Sequence, residues 1–409
     1  MKKTPRRALT QARSAGPSET WGDPALAKRL ATALNVGDAD PRRGVHGFHS
    51  YPARMHPLTA GRAVASLELP AGAVILDPFC GSGTVLVEAL IDGLQAIGRD
   101  ASPLAILVAR AKTWPGPAAA RAKLVGRARD IAAAVIAEGK SARRATHETV
   151  PHRAKSRVPI GAFDPHVRRE VEALAAAVDA VRGDVGELLR AVLSSILTKF
   201  SRRASDTRGE TVPRKIGRGM PARLVADRAG ELAMGLDALW RRVPEGTPAP
   251  RIELGDARRL DLPDASVDGI VTSPPYAGTY DYAEQHALRM AVLGLPEFGE
   301  HEIGARRGFK ADVDAALTAW RRDLSRALAE MARVLRPGGR AVLLLGDSLA
   351  GRPPRGRAVF ARTTLDELAP KAGLRPLAGA AAERDKLGAA ERSAFGTAPK
   401  QEHLIVLAR

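Results

Sequence analysis

The feature that most constrains this chain is a glycine-rich turn of eight residues, Asp77-Pro-Phe-Cys-Gly-Ser-Gly-Thr84. It directly follows a short apolar run, Ala73–Leu76, and it precedes apolar residues at helical spacing. Glycines let a backbone approach a ligand closely, and the N-terminus of the following helix offers unpaired N–H groups. The order of strand, glycine turn and helix predicts the start of a doubly wound α/β sheet with a ligand held at the turn.

The residues beyond this turn extend the predicted sheet. Gln95–Asp100 predicts a second strand, and Pro103–Lys112 predicts a second helix. A long helix is predicted over about Ala315–Leu335. The remaining strand signals are Arg251–Asp256, Val267–Thr272, Arg340–Leu345 and His403–Leu407. We predict a doubly wound, Rossmann-like α/β sheet interrupted by a helical insertion.

The composition divides the chain into three parts. Residues 1–43 are basic, with little to bury, and predict a disordered tail that is either a nucleic-acid-contacting arm or a solubilising end. Residues 44–114 and 248–409 carry the sheet signals and predict the catalytic domain. Residues 115–247 are rich in Ala and Arg, and their apolar residues recur at helical spacing. They predict the insertion, which includes a basic loop.

Two ligands suit a glycine turn of this kind, and the spacing separates them. A dinucleotide requires G-x-G-x-x-G, which is absent here. S-adenosyl-L-methionine remains, since Asp77 can face its ammonium group while Gly81 and Gly83 allow close packing. Asp100 ends the second strand, where an acid binds ribose hydroxyls, and Asp256 ends a third strand, where it can contact adenine. Each acid alone has the alternative of a helix cap or turn residue; together they predict this cofactor.

A second motif, Ser273-Pro-Pro-Tyr276, follows an apolar strand. Two prolines stiffen the turn and remove two N–H donors, leaving the Ser273 hydroxyl and the Pro274 carbonyl as acceptors. An exocyclic base amine is a poor nucleophile, and hydrogen bonds accepted from its N–H groups free its lone pair. Tyr276 can stack on a base that has flipped out of a duplex. The alternative is an ordinary rigid turn.

Together the two motifs resemble those of the DNA amino-methyltransferases, the N4-cytosine and N6-adenine DNA methylases. His49–Pro57 resembles the segment that closes over the methionine end of the cofactor, and Gly98–Pro103 resembles the second-strand motif, with Arg99 in place of an apolar residue. The resemblance covers roughly residues 44–113 and 251–409. It departs from the family in placing the helical insertion between the second and third strands rather than beside the catalytic loop.

The resemblance implies a function and a set of site residues. The Ser-Pro-Pro form is similar to that of N4-cytosine enzymes, so N4 of cytosine in DNA is favoured over N6 of adenine. Methylation of RNA, such as guanine N2 in tRNA, and a nucleic-acid-binding protein with an idle pocket are the alternatives. The implied catalytic residues are Ser273, Pro274, Pro275 and Tyr276. The implied cofactor-binding residues are Asp77, Pro78, Phe79, Gly81, Gly83, Thr84, Asp100 and Asp256.

The charge of the chain favours a nucleic-acid partner. Its formal net charge is +18, and Lys and Arg displace counterions from phosphates. A generally basic chain or a solvated loop is the alternative. The same two interpretations, phosphate contact or a solvated loop, apply to Arg306, Arg307 and Lys310. The candidate nucleic-acid-binding residues lie in the basic loop and are Arg202, Arg203, Arg208, Arg214, Lys215 and Arg218.

The remaining side chains predict no metal site and no covalent chemistry. Cys80 is the single cysteine, so no internal disulfide forms, and packing is favoured over a nucleophilic role because no histidine is near in sequence. His46, His49 and His56 lack an acid or cysteine to complete a zinc site, so packing or lid roles are favoured. Without a signal peptide or a membrane-spanning run, we expect a cytoplasmic protein.

Overall fold

The computed structural model describes residues 17–144, 156–205, 208–352, 355–386 and 388–409. The strands are β1 (Pro17–Gly22), β2 (Val74–Asp77), β3 (Gln95–Asp100), β4 (Arg203–Ser205), β5 (Arg208–Thr211), β6 (Arg251–Leu254), β7 (Val267–Thr272), β8 (Leu335–Gly346), β9 (Ser348–Ala350), β10 (Arg357–Val359), β11 (Arg375–Glu383) and β12 (Gln401–Ala408). The helices are α1 (Pro24–Leu34), α2 (Pro57–Ala65), α3 (Thr84–Ile91), α4 (Pro103–Thr113), α5 (Ala118–Arg144), α6 (Pro165–Asp179), α7 (Gly183–Phe200), α8 (Met220–Trp240), α9 (Tyr282–Leu293), α10 (Val313–Val334), α11 (Ala361–Lys371) and α12 (Ala389–Phe395).

Within these residues, the central sheet has eight strands in the order β1-β11-β12-β8-β7-β2-β3-β6. The five strands from β8 to β6 are parallel, while β12, β11 and β1 extend the other edge in antiparallel pairs. The prediction of a doubly wound, Rossmann-like α/β sheet is confirmed. The chain leaves β2 toward β3 on one side and returns to β7 on the other, so a crevice opens beyond the carboxyl ends of β2 and β7.

The middle strands are apolar because helices cover both faces of the sheet. Ile75 and Leu76 in β2 and Ile270 and Val271 in β7 have no measurable exposure. Parallel strands buried on both faces read as continuous apolar runs rather than alternating ones. This burial explains why short runs of apolar residues were a reliable signal for the strands that carry the site.

The stretch between α4 and β6 is helical, as its spacing predicted, with α5 to α8 forming most of it. The basic segment within it also contains a hairpin of β4 and β5 where a loop was expected. Apolar side chains of these helices share one buried cluster with residues of α4 and α9. The insertion is therefore packed directly against helices that flank the sheet.

The structure differs from the expected tail over residues 17–34. β1 pairs with β11 along the sheet edge, and α1 buries Leu30, Ala33 and Leu34. The Trp21 ring stacks on the Arg362 guanidinium at 4.0 Å and lies directly over Gly379. A disordered tail therefore does not describe these residues, while residues 1–16 lie outside the described part of the chain.

No helix among the described residues has the length and apolar character that crossing a bilayer requires.

Candidate active site

Asp77 ends β2 at the crevice and is held from the neighbouring strand. Thr272, the last residue of β7, donates its hydroxyl to Asp77 Oδ1 at 2.6 Å, and the Phe79 N–H reaches the same oxygen at 3.2 Å. Burial raises the pKa of Asp77 to about 7, although both hydrogen bonds act to lower it. A cationic group placed beside Asp77 would stabilise its ionised form in this buried position.

The glycine turn that follows Asp77 has a backbone shape that only glycine adopts without strain. Gly81 has φ +47° and Gly83 has φ +73°, both in the left-handed region. A Cβ atom at Gly83 would lie 2.9 Å from the Ala109 Cβ, so α4 also excludes a side chain there. The turn thereby delivers the N-terminus of α3, which starts at Thr84, toward the crevice.

Asp100, at the end of β3, fastens this turn to the sheet. Its Oδ2 accepts the Gly81 N–H at 2.8 Å, and its Oδ1 accepts the Ser102 N–H at 2.8 Å. Burial nevertheless raises the pKa of Asp100 to about 6. Since each carboxylate oxygen can accept a second hydrogen bond, Asp100 can hold the turn and still bind ligand hydroxyls.

Asp256 lies at the same cavity but is already paired. Arg258 bonds both of its oxygens, with Nη2 at 2.6 Å from Oδ2 and Nε at 2.9 Å from Oδ1. Partial burial would raise the pKa of Asp256, but the hydrogen bonds from Arg258 outweigh it and lower the pKa. The carboxylate is therefore neutralised and oriented by Arg258.

These groups surround a cavity that encloses about 930 Å³ of empty space, including its open mouth. The predicted residues on its wall are Asp77, Pro78, Phe79, Gly81, Thr84, Asp100, Asp256, Ser273 and Pro275. Tyr51 and Met55 of the predicted lid segment and Ser82 of the glycine turn also line it. Three further residues on this wall were not singled out by the sequence: Tyr282, Glu302 and Ile303.

Two hydroxyl groups on this wall indicate that the cavity suits a polar ligand. The hydroxyls of Ser82 and Thr84 are buried and have no hydrogen-bond partner among the described residues. Buried polar groups are normally paired, so both are donors or acceptors that await a ligand. Together with Asp77 and Asp100, they fit a ligand that has an ammonium group, a carboxylate and ribose hydroxyls.

A second cavity adjoins the first at the Ser-Pro-Pro-Tyr turn. Ser273 and Pro275 line both cavities, while Pro274 and Tyr276 line the second. The Trp320 indole donates to the Pro275 carbonyl at 3.0 Å and fixes the turn. Because the Pro275 carbonyl already accepts the Trp320 N–H, the Ser273 hydroxyl and the Pro274 carbonyl are the acceptors that remain for a ligand at this junction.

Tyr276 is held on two sides. Its hydroxyl donates to Glu402 Oε1 at 3.3 Å, and Ser273 lies within its hydrogen-bonding reach. A Cβ atom at Gly346 would lie 2.7 Å from the Tyr276 ring, so the ring packs against bare backbone of β8. Burial raises the pKa of Tyr276 well above its ordinary value, which keeps the phenol neutral.

The segment before the glycine turn covers part of both cavities. Ala53 has φ +52°, a conformation that costs a non-glycine residue free energy. Arg54 holds the segment closed by donating to the carbonyl oxygens of His46 and His49. Ala53, Arg54 and Met55 line both cavities. The segment therefore lies where the resemblance to the DNA amino-methyltransferases predicts a lid over the cofactor.

The three histidines near this segment point to separate partners. His46 contacts Glu88 at 2.8 Å, and His49 contacts the Ser194 hydroxyl at 3.0 Å. His56 accepts the Leu58 N–H and caps α2. Among the described residues, no group of three or more His, Cys, Asp or Glu side chains is arranged to hold a metal ion.

Two buried side chains near the glycine turn have packing roles. Cys80 is buried with its Sγ against Gly98, and burial raises the pKa of the thiol, which disfavours a nucleophilic thiolate. Arg99, where an apolar residue was expected, is fully buried but pairs with Asp261 at 2.9 Å and with Glu253 at 2.6 Å. Its stem fills the apolar position while its charge is neutralised.

The basic segment lies beside the helix that leads out of the site. Arg203 Nη1 reaches the Glu284 carbonyl in α9 at 3.4 Å, and α9 starts at Tyr282, which lines both cavities. Arg202 pairs with Asp164, Arg214 donates to the Arg203 carbonyl at 3.1 Å, and Lys215 and Arg218 are exposed. The side chain of Arg208 lies outside the described part of the chain.

The basic residues after the Ser-Pro-Pro-Tyr turn separate into two kinds. Arg306 and Lys310 are exposed, whereas Arg307 forms ion pairs with Asp281 and Glu302. Arg307 therefore braces the wall of the cofactor cavity that Glu302 lines.

Comparison with known proteins agrees with this geometry. The family model described as UPF0020, the RMKL-like methyltransferase domain, matches residues 49–155. The resemblance to DNA amino-methyltransferases is confirmed. The match to a methyltransferase domain supports S-adenosyl-L-methionine as the cofactor.

The individual relatives are similar over parts of their length. The Type II methyltransferase M.MvaI of Kocuria varians is 42% identical over 72 residues, which are 17% of this chain and 16% of that protein. M.AvaI of Nostoc sp. is 26% identical over 249 residues, 56% of this chain and 49% of that protein. The chain thus spans half or less of these two relatives.

A solved methyltransferase structure is also similar. A putative DNA modification methylase of Thermus thermophilus, complexed with S-adenosyl-L-methionine, is 22% identical. The match covers 38% of this chain and 51% of that protein, with a TM-score of 0.24.

Proposed function

We propose that this protein transfers a methyl group from S-adenosyl-L-methionine to an exocyclic amine of a DNA base, with N4 of cytosine favoured over N6 of adenine. The observation that carries the proposal is the junction of two cavities at Ser273, one lined by acids and the glycine turn and the other by Tyr276. A methyl donor and an amine held in these cavities would meet at that residue.

In this proposal the first cavity holds the cofactor. Asp77 faces the ammonium group, Asp100 binds the ribose hydroxyls, and Asp256 lies at the adenine edge. Pro78, Phe79, Gly81 and Thr84 form the wall against which the cofactor packs, and Gly83 provides the left-handed turn that leads into α3. When bound, the cofactor supplies an electrophilic methyl group on its sulfonium.

The second cavity holds the base. The Ser273 hydroxyl and the Pro274 carbonyl accept hydrogen bonds from the amine, which directs its lone pair toward the first cavity. Tyr276 contacts the base, and its neutral phenol keeps this wall free of a second negative charge. Positioning of the two reactants supplies most of the acceleration, so no strong base is required. The proton that the amine loses leaves to solvent.

The basic segment provides the phosphate contacts in this proposal. Arg202, Arg203, Arg214, Lys215 and Arg218, together with Arg208, lie in the segment that reaches α9 beside the cavities. Contacts of this kind set register on a strand and carry no sequence information. We expect binding of DNA to weaken steeply as salt rises.

Replacement of Ser273 by Ala tests the proposal. Loss of an acceptor at the reacting amine should lower the rate of methyl transfer to unmodified DNA by about 100-fold or more. The dissociation constant for S-adenosyl-L-methionine should stay within about twofold, because the change lies at the edge of its cavity. Transfer is followed with isotopically labelled cofactor.

The matched control is Ser266→Ala, at the opposite end of β7, where the hydroxyl only caps a turn through the Pro263 carbonyl. Full activity is expected of this variant. Wild-type activity in Ser273→Ala would remove the Ser-Pro-Pro-Tyr turn from the chemistry.

A further inference from the structure

The second cavity has a charged end that the proposed chemistry does not use. Its wall runs from Ser273 past Tyr276 to Glu402 on β12 and Arg384, which follows β11. Arg384 Nη2 donates to Glu402 Oε2, and Glu402 Oε1 accepts the Tyr276 hydroxyl at 3.3 Å. A continuous polar track therefore links the catalytic turn to a guanidinium group in the same cavity.

Arg384 has hydrogen-bonding capacity left over. Its side chain is 12% exposed, and its Nε and Nη1 atoms are buried without a hydrogen-bond partner among the described residues. A guanidinium has only donors, and a buried donor left unpaired carries a desolvation cost. The unpaired donors of Arg384 therefore indicate a ligand that brings an acceptor into this end of the cavity.

The two candidate bases differ at the place where such an acceptor would lie. When the amine is at Ser273, the next ring atom is N3 in cytosine and N1 in adenine, both acceptors. One position further, cytosine has the carbonyl O2 whereas adenine has a C–H group. A carbonyl oxygen accepts a charged hydrogen bond, and a C–H group leaves the donors unpaired.

We propose that Arg384, oriented by Glu402, reads the O2 end of the flipped base and thereby selects cytosine over adenine. The inference rests on the proposed function and names its target base. Glu402 is a positioning residue here, since its carboxylate fixes Arg384 and Tyr276 rather than the base. Discrimination arises because adenine would leave the Arg384 donors unpaired, whereas the O2 of cytosine would accept a hydrogen bond from them.

The test uses the full chain, labelled S-adenosyl-L-methionine and unmodified DNA, with digestion to nucleosides afterwards. Because Arg384→Met alone would leave Glu402 buried without its ion pair, the main variant is Arg384→Met with Glu402→Gln, which removes both charges together. Arg375→Met, at the exposed far end of β11, is the matched control.

Wild-type protein and the control should form N4-methylcytosine. The double variant should lose about 10- to 100-fold in kcat/KM for DNA, with an unchanged dissociation constant for the cofactor as evidence of correct folding. Arg384→Lys, which keeps the ion pair but loses the planar fork, should lie between the two.

Label in adenine from the wild-type protein, or an unchanged rate in the folded double variant, would overturn the assignment of Arg384 while leaving amine methylation in place. Absence of label from every nucleoside would instead remove the proposed function, and the assignment with it.

Discussion

Replacement of Asp77 by Asn should stabilise the empty protein while it weakens cofactor binding. Both protein hydrogen bonds to Asp77 end on Oδ1, so an amide oxygen can accept them unchanged. Burial raises the pKa of this carboxyl from 3.8 to about 7. Each tenfold change in proton affinity is worth about 1.4 kcal/mol, so the ionised carboxylate costs the folded state about 4 kcal/mol at pH 8.

The sign of the pH dependence follows from the direction of this change. The folded state binds the proton of Asp77 more tightly than the unfolded chain, so the contribution of Asp77 to stability is greatest below pH 4. It falls as the pH rises toward 7. The Asn variant lacks this loss, so its advantage in unfolding free energy should grow from about 2 kcal/mol at pH 5 to about 4 kcal/mol at pH 8.

Urea unfolding at pH 5 and pH 8, without cofactor, measures the difference. Asp38→Asn changes an exposed carboxylate and should shift stability by less than about 0.5 kcal/mol at either pH. Titration with S-adenosyl-L-methionine at pH 8 should show about 10-fold or more loss of affinity in Asp77→Asn. An Asn variant that is no more stable than wild type at pH 8 would refute the argument that the ionised Asp77 carboxylate destabilises the folded protein without cofactor.

Three further changes, one of them with a control variant, test the residues in and around the cofactor loop. Asp100→Ala should raise the dissociation constant for S-adenosyl-L-methionine by about 10-fold or more, because it removes an acceptor and frees the Gly81 N–H; an unchanged constant in calorimetry would exclude its proposed ribose contact. Gly83→Ala should destabilise the fold by about 2–4 kcal/mol through its positive φ and its clash with α4. Thermal unfolding measures this loss, and the control Gly72→Ala, with φ +80° and open space around its Cβ position, should lose only about 1 kcal/mol. Cys80→Ala should cost about 1–2 kcal/mol of packing yet retain methyl transfer, and a 100-fold loss of transfer would restore the nucleophile hypothesis.

Much of the fold was predictable because the site lies on strands with strong local signals. The apolar runs before Asp77 and Ser273 are buried on both faces, and their turns carry residues that only a few backbone shapes permit. The paired arrangement of Asp77 and Thr272 could not be predicted, since it depends on β7 lying next to β2.

Other parts depended on contacts distant in sequence. Arg384 and Glu402 enter the second cavity only because β11 and β12 pair on the far side of β8. Ordering of residues 17–34 depends on β11 as well, although Asp23 and Pro24 form a recognisable helix start ahead of Leu26, Leu30 and Leu34. Basic composition concealed that signal.

The identity of the methylated nucleoside tests the central claim most directly. Purified protein is incubated with isotopically labelled S-adenosyl-L-methionine and, separately, with unmodified genomic DNA or total RNA, and the products are digested and analysed by mass spectrometry. Label in a methylated exocyclic amine of a DNA base is the result that the two joined cavities predict, and the Ser-Pro-Pro form predicts that it is N4-methylcytosine. Label confined to RNA, or absent from both nucleic acids, would contradict the claim that Ser273 receives the amine of a DNA base.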